Sequence, residues 1–192
     1  MKMIVKTMML FALLATSCNK DDDGKEEQGC VKEENFFEAQ FDGTTIEPHY
    51  AQGGGFGVYT LNFNRCSENE GNWYLSVNTE NNGPSFYLYL INVNSIGNYS
   101  IEAGDSSQIP AFCDEVISLY IRDEINSTYS FISSENGQVE ITRYDNNLGI
   151  LVGTFTAELV STADPSVKKT ITGEFNLNKS TLDNTQKPCF LD

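Results

Sequence analysis

Trp73-Tyr74-Leu75-Ser76-Val77, then Asn82-Gly83-Pro84, then Phe86-Tyr87-Leu88-Tyr89-Leu90: the reading of this stretch decides the fold class. In an extended chain, side chains alternate between two sides. Trp73, Leu75 and Val77 therefore share one face, and so do Phe86, Leu88 and Leu90. Asn82-Gly83-Pro84 supplies the backbone of a turn between them. The pattern continues in both directions. Tyr59, Leu61 and Phe63 share a face upstream. Downstream, Val139 and Ile141 alternate with polar partners, as do Phe155, Ala157 and Leu159, and then Ile171, Phe175 and Leu177. Val116-Ile117-Ser118-Leu119-Tyr120-Ile121 is mostly apolar, as in a strand buried on both sides. Further turn clusters lie at Asp42-Gly43, Gly53-Gly54-Gly55, Glu70-Gly71-Asn72, Glu135-Asn136-Gly137 and Asp145-Asn146-Asn147-Leu148-Gly149. No stretch sustains a helical period with caps, so the crossover helices of a parallel α/β sheet are missing. About ten short strands with regular turns predict an all-β domain. We expect an antiparallel β-sandwich, with a closed or partly open β-barrel as the alternative.

The same stretch carries rings on both faces. Trp73 and Tyr74 point oppositely, and Tyr87 and Tyr89 oppose Phe86 and Leu88. One set must form core. The other is a candidate ligand face, because exposed rings stack on flat apolar surfaces, including those of sugars. Trp73, Tyr74, Tyr87 and Tyr89 are the ligand-face candidates, set against the reading in which both faces are covered.

The amino terminus has a different chemistry. Lys2 and Lys6 precede the apolar run Met8-Met9-Leu10-Phe11-Ala12-Leu13-Leu14-Ala15, a positive region followed by a short hydrophobic one. Eight apolar residues are too few for a bilayer, which needs roughly 20 in a helix. Thr16-Ser17-Cys18 closes the run and resembles a bacterial lipobox, with Ala15 where that pattern usually has Leu. The resemblance implies cleavage before Cys18 and lipidation of Cys18. Cys18-Asn19-Lys20-Asp21-Asp22 in turn resembles the export signal of Bacteroidota lipoproteins, with Lys20, Asp21 and Asp22 as the signal. It implies an outer-membrane protein facing the cell exterior. Residues 1–17 are thus expected to be a signal peptide, 18–34 a lipidated acidic tether and 35–192 one domain. Residues 19–29 would span about 35–40 Å fully extended, and roughly half that as a flexible coil.

Charge agrees with that placement. The chain has 12 Lys and Arg against 27 Asp and Glu, a net charge of −15; loss of Lys2 and Lys6 with the leader makes it −17. Such a surface has no basic stripe for phosphates, which argues against nucleic acid as a partner. It is repelled by anionic head groups, so the lipid must hold it to the membrane. One acyl chain binds marginally and a second makes anchoring stable.

After Cys18, four cysteines remain: Cys30, Cys66, Cys113 and Cys189. An even number in an exported chain fits two disulfides. Three pairings exist; Cys30–Cys189 and Cys66–Cys113 are the expected ones, the first tying together chain ends that often lie close in space. The second would pin the long connection at residues 103–115.

No catalytic constellation stands out. His49 is the single histidine, and no Gly-x-Ser-x-Gly accompanies it. It reads as a surface residue. Among 27 acids, no pair such as Asp114 and Glu115 or Asp123 and Glu124 is singled out for a glycosidase. Asp145 and Asn147 are weak calcium candidates, as is Glu68-Asn69-Glu70, but neither segment fits the twelve-residue calcium loop, and both read first as turns. We therefore expect no cofactor, with calcium as the one possibility.

A second resemblance runs through the strands. Phe37-Glu38-Ala39-Gln40-Phe41-Asp42-Gly43, Gly97-Asn98-Tyr99-Ser100-Ile101, Gly137 to Asp145, Gly149 to Phe155 and Ile171-Thr172-Gly173-Glu174-Phe175 look like the small Bacteroidota lipoproteins classed as domains of unknown function. This implies shared β-rich architecture and carries no catalytic residue. The expected function is a non-catalytic binding or accessory module for a glycan, peptide or partner protein. The alternatives are a structural component of an envelope complex and, behind it, a carboxylate-dependent hydrolase.

Overall fold

The computed structural model describes residues 34–53, 56–66, 71–80, 83–105, 116–123, 125–126 and 128–182, all within one compact unit. Twelve strands follow in order. They are β1 (Phe36–Phe41), β2 (Thr44–Ile46), β3 (Tyr50–Gly53), β4 (Phe56–Tyr59), β5 (Leu61–Arg65) and β6 (Trp73–Asn78). Then come β7 (Ser85–Leu90), β8 (Gly97–Ser100), β9 (Ser118–Asp123), β10 (Thr128–Asp145), β11 (Ile150–Ser161) and β12 (Lys168–Asn178). A four-residue helix, α1 (Lys179–Leu182), follows. Ten strands make one antiparallel sheet in the order β2-β1-β12-β11-β10-β9-β7-β6-β5, with β8 also on β10. β3 and β4 form a separate hairpin.

The class is all-β and antiparallel, as the period-two pattern predicts. The sheet curls until β1 and β7 meet across the core. Phe37 on β1 and Phe86 on β7 are five neighbours apart in strand order, yet their ring centroids are 4.7 Å apart. Phe86 also lies 5.4 Å from Phe155 of β11. The result packs like a sandwich and is connected like a partly open barrel. Trp73, Leu75, Val77, Phe86, Leu88 and Leu90 are all fully buried on the inner face. Gly173 sits where a Cβ would meet the Phe155 ring at 2.5 Å and the backbone of Glu38 at 2.7 Å, so the ring lies directly on the β12 backbone.

The hairpins follow their turn residues. Asp42 and Gly43 have φ of 52° and 76°, the paired positive values of a tight turn between β1 and β2. Asp145 Oδ1 accepts from Asn147 N and Leu148 N at 2.9 and 3.1 Å, closing the β10–β11 turn. One expected turn is corrected. Glu135-Asn136-Gly137 lies inside β10, where the register with β11 slips between Ser133 and Gly137. Ser134 and Asn136 bond the Glu158 carboxylate there, so polar turn residues serve as a bulge. Tyr59, Leu61 and Phe63 are also split: β4 ends at Tyr59 and β5 starts at Leu61.

The first residues of the domain are clasped to its last described ones. Asn35 is buried with φ 57°. Its side chain donates to Thr181 Oγ1 at 2.9 Å and accepts from Asn178 N at 2.9 Å, while Tyr59 donates to its carbonyl at 3.0 Å.

Candidate functional site

The outer face of the sheet has two unlike halves. On β6, β7, β9 and the start of β10, five tyrosines touch in a closed circuit. Ring centroids are separated by 5.4 Å for Tyr74–Tyr89, 5.9 Å for Tyr89–Tyr120 and 5.5 Å for Tyr120–Tyr129. Tyr129–Tyr87 at 5.8 Å and Tyr87–Tyr74 at 6.3 Å complete it. Register explains the grouping: Tyr74 faces Tyr89, and Tyr87 faces Tyr120. Tyr89 and Tyr120 are buried, 3% and 2% exposed, while Tyr74 and Tyr87 are half-buried. Asp105 N donates to the Tyr120 hydroxyl at 3.2 Å, and the Gly104 backbone lies against that ring. The segment leading out of β8 therefore covers part of this face. It is pinned by Gly104 N to Ser133 O and by Ser133 Oγ to Glu102 O, at 2.9 and 2.7 Å.

Of the four ligand-face candidates, Trp73 belongs to the inner core, stacked on Phe63 at 4.8 Å, and Tyr89 is buried within the tyrosine circuit. Tyr74 and Tyr87 keep partly open edges. Burial pushes the Tyr89 and Tyr74 hydroxyls above the ordinary tyrosine pKa, with neighbouring tyrosines and Cys66 adding to it. Tyr59 is raised likewise, by burial first and then by Glu47.

The other half carries a groove of about 460 Å³ on β1, β10, β11 and β12, within the volume range of small-molecule sites. Phe36, Thr142, Val152, Thr154, Glu174 and Asn176 line it, and Gly153 and Phe175 contribute as well. By alternation the first six stand on the outer side, opposite the buried Phe37, Phe155 and Phe175. A second register slip, between Ile141 and Arg143, explains Thr142: the extra residue lets both Thr142 and Arg143 stand beside Val152. Such bulges bend a strand and raise its twist, which accounts for a concavity on the outside of a curled sheet. Thr142 Oγ1 bonds Val152 O at 3.3 Å. The side chains of Thr154, Glu174 and Asn176 engage no protein group among the described residues. Sequence reading missed this groove, because its signal is a bulge, and a bulge is invisible in an alternating pattern.

The remaining candidates are placed as follows. Asp145 spends its carboxylate on the turn, and Asn147 supplies one of the donors. No group of three or more His, Cys, Asp and Glu poised for a metal occurs among the described residues. His49 is half-buried, with Nδ1 3.2 Å from both Thr60 Oγ1 and Asn78 O. Asp123 accepts from Ile125 N, Asn126 N and Asn126 Nδ2 in another turn. Cys66 follows β5, its N–H bonded to Asn72 O at 2.9 Å. Cys18, Lys20, Asp21, Asp22, Cys30, Cys113 and Cys189 lie outside the described residues, as do Asp114, Glu115, Glu124 and Glu68-Asn69-Glu70.

Comparison with family models, with curated proteins and with solved structures gives no match to this chain.

Proposed function

We propose that the chain is a lipid-anchored, outward-facing lipoprotein of the outer membrane that acts as a non-catalytic binding or accessory module. The single observation that carries the binding role is the outer-face groove, where Thr154, Glu174 and Asn176 are left unengaged among the described residues while some outer-face carboxylates are paired. Glu158, for instance, holds Lys168, Asn136 and Ser134. The anchoring role rests on the leader and on Cys18. Cys18→Ala is expected to release the protein from membranes. Alanines at Lys20, Asp21 and Asp22 are expected to leave it in the periplasm. Protease shaving of intact cells reads the display: wild type left untouched refutes it.

The bridges belong to the same proposal. The clasp of Asn35 with Asn178 and Thr181 supports Cys30–Cys189, since those cysteines lie a few residues outside it. Mass mapping of non-reduced peptides checks that pair and Cys66–Cys113 together.

A further inference from the structure

Groove chemistry narrows the ligand; this step rests on the binding-module reading. Three polar side chains stand unengaged among the described residues, on two neighbouring strands: Thr154 on β11, and Glu174 and Asn176 on β12. They offer a hydroxyl, a carboxylate and a carboxamide, a mixed set of donors and acceptors. Phe36, half-buried beside Asn176 in the β1–β12 register, offers a ring, and Val152 an aliphatic surface. A ligand that fills this set needs several groups that both donate and accept, on a body with an apolar face. Hydroxyls on a sugar ring meet both needs.

The surrounding charges remove anionic ligands. Glu38 stands directly opposite Glu174 in the β1–β12 register, and Thr154 lies between Glu174 and Glu140. Three carboxylates along one row repel an anionic ligand. Arg143, exposed beside Val152, makes no hydrogen bond or ion pair among the described residues and offsets part of this negative charge. A neutral, hydroxyl-rich molecule meets no such repulsion. We propose that the groove is a saccharide site, which takes a neutral sugar against Phe36 and bonds its hydroxyls through Thr154, Glu174 and Asn176.

The test uses the full-length, detergent-solubilised lipoprotein. It is presented with neutral, uronic or sulfated, and amino oligosaccharides, and the tightest is then titrated by calorimetry. Neutral oligosaccharides are expected to bind. Thr154→Trp, which fills the groove from an exposed position, and Asn176→Ala are each expected to weaken binding about ten-fold or more, the scale of one lost polar contact or a blocked wall. Tyr87→Ala, on the other half of the face, is expected to leave it unchanged. Thermal melting confirms that each variant is folded. A preference for acidic or amino sugars, binding that survives Thr154→Trp, or loss with Tyr87→Ala overturns the groove assignment and leaves the module reading intact. Absence of any saccharide binding overturns the assignment too. Crosslinking on intact cells then judges the alternative separately: a stoichiometric membrane partner supports a structural component of an envelope complex, and a freely diffusing monomer refutes that alternative.

Discussion

Across β6, β7 and β9 the outer face carries tyrosines in ring-to-ring contact; across β11 and β12 it carries Thr154, Thr156, Thr170 and Thr172, all exposed. The two stretches share the same alternation, the same sheet and the same inner core. They differ in what lies over them. The chain leaving β8 returns across Tyr120, so the tyrosines form a small second core. No described segment bonds the outer side chains of Thr154, Glu174 or Asn176, and a groove remains. Branched threonines suit such an uncovered pleat, since their restricted rotamers fit a strand while the hydroxyl stays in water. One outer face can thus stabilise the fold in one half and present chemistry in the other.

The strongest break of this contrast is Phe86→Ala. Its ring touches Phe37 and Phe155, so it serves both halves of the sheet from inside. A loss of about 3–5 kcal/mol is expected from urea unfolding. A loss under about 1 kcal/mol would mean that the halves do not share one core.

Next comes the outer face itself. Tyr89→Ala is expected to cost about 2–4 kcal/mol, in the range of a large buried side chain. Thr156→Ala, at an exposed site, is expected to stay within about 0.5 kcal/mol. Equal effects in the same denaturation series would erase the distinction between covered and open halves.

Alkali sharpens it further. Tyr59, Tyr74 and Tyr89 have pKa values raised chiefly by burial. Above about pH 10 the unfolded chain loses those protons while the folded chain keeps them. The stability they confer is therefore complete below that pH and declines as pH rises. Denaturation midpoints should fall in that range, and Tyr89→Phe should flatten part of the fall. A wild-type curve without decline would place these hydroxyls in water.

Acid probes the open half, with the smallest effect. The bond from Lys168 holds the Glu158 carboxyl below its ordinary range, with Asn136 and Ser134 assisting. That contribution is present above the ordinary glutamate pKa and is lost as pH falls through the lowered one. Because the pair is exposed, Glu158→Gln should alter the acid limb only slightly. A large change would mean that the β10 bulge it holds is structurally central.

Much of the fold was legible. Alternation is a local property, so Trp73, Leu75 and Val77 could be assigned to one face from neighbouring residues alone. Asp42-Gly43 named its own turn, because only certain residues tolerate paired positive φ. Glu135-Asn136-Gly137 misled for the same reason: residues that favour turns also favour bulges, and the partner strand decides between them. Of the ring candidates, Tyr74 and Tyr87 kept open edges, but Tyr89 did not, since its cover comes from elsewhere in the chain. The groove was illegible, because Phe36, Thr142, Thr154 and Glu174 meet only through pairings between β1, β12, β11 and β10.

Sequence by itself determined the all-β class, the inner face of each main strand, the acidic surface and the cysteine and leader pattern from which anchoring is proposed. These depend on composition and on a two-residue period, which a short window contains. Tertiary structure decided the strand order, the curl that joins Phe37 to Phe86, the cover over the tyrosines and the groove beside Glu174. Each of these depends on residues far apart in the chain, held in register by hydrogen bonds and packing that no local pattern encodes.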